Sequence, residues 1–222
     1  MSIDDLYKMV LFVCNKNQAG GISNLDFQRS YNIAQSQYFS DLVGRFQQYQ
    51  YGRPIPRVGL GENETVMTKL SKFIITNAVA VISGNVAIKP SNFIRLLAMR
   101  YGNLKVFRVE HDKVWSAVTS TIDPPSTTVV YYVEYDDTWT IYPTSGISSI
   151  NIDYLRKPAD VVWNYTLDND DRQVYTASGS VDPEWDDISA IEIATRALKI
   201  LGVHFKDSDF TGYGQQVIQQ GE

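Results

Sequence analysis

The sequence predicts an α+β fold: an N-terminal helical hairpin, a central antiparallel β region and a closing C-terminal helix. Three patterns carry that prediction. Phe27, Tyr31, Ala34, Tyr38, Leu42, Phe46 and Tyr49 step by three or four, the spacing of a helix with one apolar face. Strand-like runs follow one another at Thr128–Tyr135, Thr138–Tyr142 and Ser149–Leu155 and read as an antiparallel meander. Ile188, Ile191, Ala194, Leu198 and Leu201 form a second helical stripe, which begins near Asp182 or Asp186 and stops at Gly202.

In chain order, residues 1–50 form the hairpin. Ser2 is placed to cap the first helix, with Asp4 and Asp5 in the opening turn and Ile3, Leu6, Val10 and Val13 on one face. After a loop ending at Gly20 and Gly21, Ser23 or Asn24 caps the second helix. Residues 51–160 make the β region. It opens on Tyr51–Asn63, whose glycines and prolines suggest an extended connector. Val79–Ser83 and Val86–Ile88 flank a Gly84-Asn85 hairpin turn. Ser91–Tyr101 reads as a short helix after Pro90, and Leu104–Glu110 with Val114–Thr119 as a strand pair turning at His111, Asp112 and Lys113. In the meander, Ile150, Ile152 and Tyr154 oppose Asn151 and Asp153, the period of a half-buried strand. The first run is apolar on both faces, with Val130 and Tyr132 opposite Val129, Tyr131, Val133 and Tyr135, so that second face needs a cover from this chain or a neighbouring subunit. Residues 161–222 hold an irregular segment with the acidic cluster Asp168–Asp171, the closing helix and a polar, extended tail.

Composition narrows the function. A net charge of −5 and the lack of a Lys or Arg run argue against gripping nucleic acid, while an acidic surface suits a protein that DNA slides past. The single cysteine, Cys14, follows Phe12 and Val13 and reads as a buried thiol in a reducing compartment. Asp4 and Asp5 ahead of the first apolar run argue against a secretory leader, and no run reaches the roughly 20 apolar residues of a membrane span. A soluble protein made in a cytoplasm, with no membrane partner, is expected.

Chemistry-bearing patterns are sparse. His111 and His204 lack converging partners, and with one cysteine they make neither a tetrahedral zinc site nor a triad. Asp168, Asp170 and Asp171 start like a calcium loop, but Gln173 stands where glycine is needed and Gly179 where glutamate is needed. Gly59 and Gly61 lack the third glycine and lysine of a phosphate loop, and Asp136 and Asp137 sit at a hairpin tip. No catalytic residue, cofactor or metal is nominated. The aromatic load is the better lead. Phe27, Phe46, Trp139 and Trp185 fall on inward stripes, whereas Tyr132, Tyr142, Phe210, Tyr213 and Ile218 are the candidate partner contacts.

Several segments together resemble structural proteins of crAss-like tailed phages: Leu6-Tyr7-Lys8, Val13-Cys14-Asn15-Lys16-Asn17-Gln18-Ala19-Gly20, Tyr154-Leu155-Arg156-Lys157-Pro158 followed by Trp163, and Val181-Asp182-Pro183-Glu184-Trp185. The resemblance implies a neck or ring protein of the virion's head-to-tail connector, in the role of a portal adaptor. It implies a homo-oligomeric ring, expected to be twelvefold, that contacts the portal protein and adjacent neck or tail rings. DNA would pass through its lumen during genome ejection without sequence-specific binding. A tail-tube or tail-completion component is the structural alternative, and a carbohydrate-binding module is the alternative of another class.

Overall fold

The computed structural model describes residues 1–16, 22–47 and 57–204, together with Gln216. In chain order the elements are α1 (Ile3–Lys16), α2 (Asn24–Gln47), α3 (Arg57–Ser71), β1 (Ile74–Ser83), β2 (Val86–Ile88), β3 (Phe93–Tyr101), β4 (Leu104–Lys105), β5 (Phe107–Arg108), a 3-10 turn at His111–Lys113, α4 (Val114–Val118), β6 (Tyr131–Glu134), β7 (Thr138–Tyr142), β8 (Ser149–Arg156), β9 (Tyr165–Leu167), β10 (Gln173–Tyr175) and α5 (Asp187–His204). The fold is α+β, and the chain divides into a helical unit, Met1–Lys72 with Pro158–Glu222, and a β unit, Phe73–Lys157.

Capping begins the helical unit as its sequence dictates. Ser2 Oγ accepts from the Asp5 amide (3.2 Å) and donates to the Asp5 carboxylate (2.6 Å), and Asp182 Oδ1 accepts from the Ile3 amide (2.8 Å), so free N–H groups at the start of α1 are satisfied. Ser23 does the same for α2, accepting from the Asp26 amide at 3.1 Å. Phe27, Tyr31, Ala34, Tyr38 and Leu42 are buried along α2, and Phe46 and Tyr49 have side chains outside the described residues. The main packing partner of α2 is α5, which also touches α1. On α5 the buried stripe is Ala190, Ile193, Ala194, Ala197, Leu198 and Leu201, while Ile188 and Ile191 face outward. The helix therefore sits rotated from the stripe expected at its start, and it runs past Gly202 to His204.

The segment expected to be irregular after Pro158 is held to α2 by amides. Asn32 donates to Val161 O (3.2 Å) and accepts from Val161 N (2.9 Å), Gln35 donates to Ala159 O (2.9 Å), and Gln28 accepts from Trp163 N (3.4 Å). These residues recur at helical spacing on one face, so an extended backbone finds the partners a sheet would have given it. The expected connector Tyr51–Asn63 is helical from Arg57 onward, as the start of α3. Gly59 and Gly61 each disfavour a helix by about 1 kcal/mol. Burial of Val66 and Leu70 further along the same helix, and its packing on α2, outweigh them.

In the β unit the strand order is β4-β3-β8-β1-β2-β7-β6-β5. The two ends of that order, β4 and β5, are separated in the chain by Val106 alone. Val106 N donates to Met99 O of β3 (3.0 Å), and Phe107 N donates to Val130 O just before β6 (2.9 Å). One bent strand thus pairs with both margins, and the sheet closes on itself as a small barrel. The side chains agree. Phe93 of β3 and Trp139 of β7 lie four strand steps apart, about 19 Å in a flat sheet, yet their rings meet at 5.2 Å. Ala80, Ala87, Met99, Val106, Val130, Tyr132, Trp139, Ile141, Ile150, Ile152 and Tyr154 make one core inside the barrel.

Three expectations change here. Ser91–Tyr101 is not a helix. Its Phe93–Tyr101 portion is strand β3, because β8 and β4 flank it and supply a ladder that local helix propensity cannot match. Residues 104–119 are not a hairpin: Leu104–Arg108 form the closing strand, and His111–Val118 form a 3-10 turn and the one-turn α4. The meander breaks between β7 and β8. β6 and β7 pair as expected, but β7 pairs next with β2, and β8 lies between β1 and β3. The β1–β2 hairpin fills the gap, turning at Gly84 with φ +73°, where glycine carries no Cβ penalty.

Candidate interaction surfaces

The apolar second face of β6 is covered from within. Val130 and Tyr132 point into the barrel, and Tyr132 keeps only 8% of its surface exposed. The opposite wall of the same unit is the cover, so Tyr132 is a core residue and not an outward contact. Tyr142 is half-buried, while Phe210, Tyr213 and Ile218 lie outside the described residues.

Register places Tyr142 in a row that the sequence did not disclose. Tyr142 pairs with Tyr131, Tyr131 with Phe107, and, across the bend at Val106, Lys105 pairs with Arg100. Trp139, Ile141, Tyr132, Val106 and Met99 point inward on these strands, so alternation puts Tyr142, Tyr131, Phe107, Lys105 and Arg100 on the outside. Phe107 and Tyr131 rings lie 6.4 Å apart, and the Lys105 ammonium is 5.8 Å from the Phe107 ring centre. Two cations directly opposed across strands repel. Arg100 is neutralised by Asp153 at 2.7 Å, whereas Lys105 has no carboxylate within ion-pair distance among the described residues. This row was hidden because β4 and β5 are only two residues each and their partners come from remote parts of the chain.

Next to the row, Arg108, Val109, Glu110, Lys113, Ser116, Ala117, Ser120, Asp123 and Tyr131 line an open cleft of about 710 Å³. Its charged side chains all have partners, one pair inside the cleft and the others with Tyr131 and with Glu134 beyond it. Lys113 bonds Glu110, holding that carboxyl below and the ammonium above their usual ranges. Tyr131 donates to Asp123 Oδ2 (3.1 Å), and desolvation followed by that bond raises the Tyr131 hydroxyl. Arg108 pairs with Glu134 at 3.3 Å. Nothing converges on a common point where a reacting atom would sit.

Exposed apolar residues complete the surface. Trp115 on α4 is 79% exposed and Ile122 just beyond it 95%. On the outside of the barrel Val79 and Val81 of β1 and Ile88 of β2 are bare as well. The segment around Trp115 reads as a strand in sequence, and the helical turn that forms there instead leaves the indole exposed.

The remaining candidates are structural. Lys69 donates to the Tyr38 hydroxyl (2.7 Å), which donates to Ser189 Oγ (3.2 Å), but Ser189 is fully buried and offers no approach to a substrate. Asp168 sits at the β9–β10 hairpin tip, where its Oδ1 accepts from the Asp170 and Arg172 amides, both at 2.8 Å. His111 is exposed, within 3.0 Å of Glu134 O and packed edge-on against Tyr135. Cys14 is buried, and desolvation pushes its thiol up to about 11. The motif residues near the C-terminal helix hold the fold: Asp182 caps α1, Glu184 accepts from Ala159 N (2.9 Å), and Trp185 donates to Gln35 and packs against Tyr38 and Phe39.

No helix among the described residues is long and apolar enough to cross a membrane. Searches of protein-family models and of curated proteins find no match to the chain.

Proposed function

We propose that the protein is a structural subunit of a phage neck, building a homo-oligomeric ring that joins portal to tail and lets the genome pass through its lumen. The observation that carries this reading is the extent of bare apolar surface on the β unit, where Trp115, Ile122, Val79, Val81 and Ile88 are exposed together with Phe107 of the outward row. Bulky apolar groups in such number are costly on a solitary protein and ordinary on a surface that another subunit covers. A closed barrel also supports the reading, because it removes free strand edges and leaves side chains, not backbone, to choose the neighbour.

Mass photometry of the purified chain, alone and mixed with its cognate portal, tests the proposal. A discrete species near twelve copies in either sample supports it, and monomer in both overturns it. Trp115 keeps the carbohydrate-binding reading in play, since an indole this exposed can stack on a sugar ring. Binding of the monomer to a glycan array, lost in Trp115→Ala, would select that reading.

A further inference from the structure

The β9–β10 hairpin is unusual among the described elements. Its strands have three residues each, a length at which a two-stranded ribbon is marginal in water. Leu167 lies on one face and Val174 on the other, 59% and 48% exposed. Its base is nevertheless fixed. Trp163 packs against Tyr165 and Tyr175 at 6.0 and 5.7 Å, donates to Asp4 Oδ1 (3.2 Å) and meets the Tyr7 ring at 5.2 Å. Cβ added to Gly179, at φ +83°, would fall 2.8 Å from Asn164 Nδ2, so the chain beside the hairpin is also tightly set. The firmly rooted ribbon thus has exposed apolar residues on both faces and a tip with a net acidic charge, Asp168, Asp170 and Asp171 against Arg172, which lies 3.8 Å from Asp170.

The chain carries a matching surface. Residues 158–204 hold nine carboxylates against three Lys and Arg, while 73–157 hold seven against eight. On the barrel, the aromatic row ends in Lys105, whose cross-strand neighbour Arg100 is paired with Asp153. The ribbon offers an aliphatic side chain next to acid, and the row offers aromatic rings next to base. Leu167 on the ribbon and Phe107 and Lys105 on the row are exposed in the single chain, and Tyr131 is half-buried. A contact between unlike patches of identical chains is heterologous, the kind that propagates and closes into a ring.

We propose that the β9–β10 ribbon of one copy seats on the outward row of the next, with Leu167 against Phe107 and Tyr131 and the acidic tip against Lys105. This rests on the ring reading and names its lateral contact. The complementary charges set orientation, and the aromatic row buries the ribbon's apolar face.

A charge swap tests it. Sedimentation velocity on the full chain would compare wild type, Asp170→Lys, Lys105→Asp and the double variant, with circular dichroism checking the fold of each. Self-association weakened about tenfold in each single variant and regained in the double supports the contact. Assembly unchanged in both singles overturns it while leaving the ring reading intact. If wild type stays monomeric, oxidation of Asn169→Cys with Lys105→Cys decides. A disulfide-linked ladder absent from the control pair Asn169→Cys with Asp136→Cys supports the contact, and equal or no cross-linking overturns it. The ring reading fails separately if no ring forms on the portal. Binding of a labelled oligothymidine that is lost in Lys105→Asp would assign the row to single-stranded DNA and also overturn the proposal.

Discussion

Every strand of the barrel comes from one uninterrupted stretch, residues 73–157, whereas the helical unit is assembled from chain on both sides of that stretch. The difference shows in what each core depends on. Barrel residues such as Trp139, Ile141 and Ile152 are buried by other parts of the same 85 residues. Phe27, Tyr31 and Tyr38 belong to a helix that packs chiefly on α5, more than a hundred residues away. One unit is self-contained in sequence, and the other is closed only by its last helix.

The sharpest way to break this comparison is to cut the chain. Residues 73–157 expressed alone are expected to give a dispersed NMR spectrum and a cooperative melt, while residues 1–72 alone are expected to stay unfolded for want of α5. A folded 1–72 fragment, or a collapsed 73–157 fragment, would show that the division is wrong. Within the full chain, Trp139→Ala should cost about 3–5 kcal/mol of barrel stability through the cavity it leaves. Denaturant unfolding followed by residue-resolved amide NMR signals, from α2 and α5 for the helical unit and from β6 to β8 for the barrel, should show the barrel melting first. Coincident shifts would mean that the units unfold as one.

Two smaller effects sharpen the helical side. The Cys14 thiol stays protonated in the folded state until about 11, against an ordinary value of 9.0. Its neutral form favours folding, so the stabilisation is whole below pH 9 and lost as pH climbs from 9 to 11, by at most about 3 kcal/mol. The alkaline fall in melting temperature should flatten in Cys14→Ala, and an identical fall in both proteins would remove the thiol from the account. Ser23→Ala should cost about 1 kcal/mol by freeing the Asp26 amide at the start of α2. Urea titration would read this, and a change within error would mean that water replaces the cap at no cost.

What could be read in advance follows the same division. The caps at Ser2 and Ser23, the stripe from Phe27 to Leu42 and the Gly84 turn are local signals, legible because a helix face or a tight turn is decided by neighbours in sequence. The barrel was legible only in pieces. Ile150, Ile152 and Tyr154 announce a half-buried strand, but nothing in them says that β1 and β3, not β7, stand on either side. Leu96, Leu97, Ala98 and Met99 suit a helix until the ladder from β8 is present. The candidate surface suffered most. Tyr142 fell on the outside as its strand alternation implied, Tyr132 turned inward because the barrel closed over it, and the row joining Tyr142 to Phe107 and Lys105 exists only through pairings between strands distant in sequence.

The barrel begins and finishes at one place. Ile74 pairs with Leu155, and Arg156 N donates to Phe73 O at 2.9 Å, so the two chain segments that lead into and out of it run side by side. Seen from the helices, all 85 residues are a single long loop whose ends are already joined. A short turn could bridge that gap, and a different barrel could take the same place in the sequence. The barrel is in that sense an insertion in the sequence of the helical unit, and selection can rewrite its outer face without changing the residues that fold the helices.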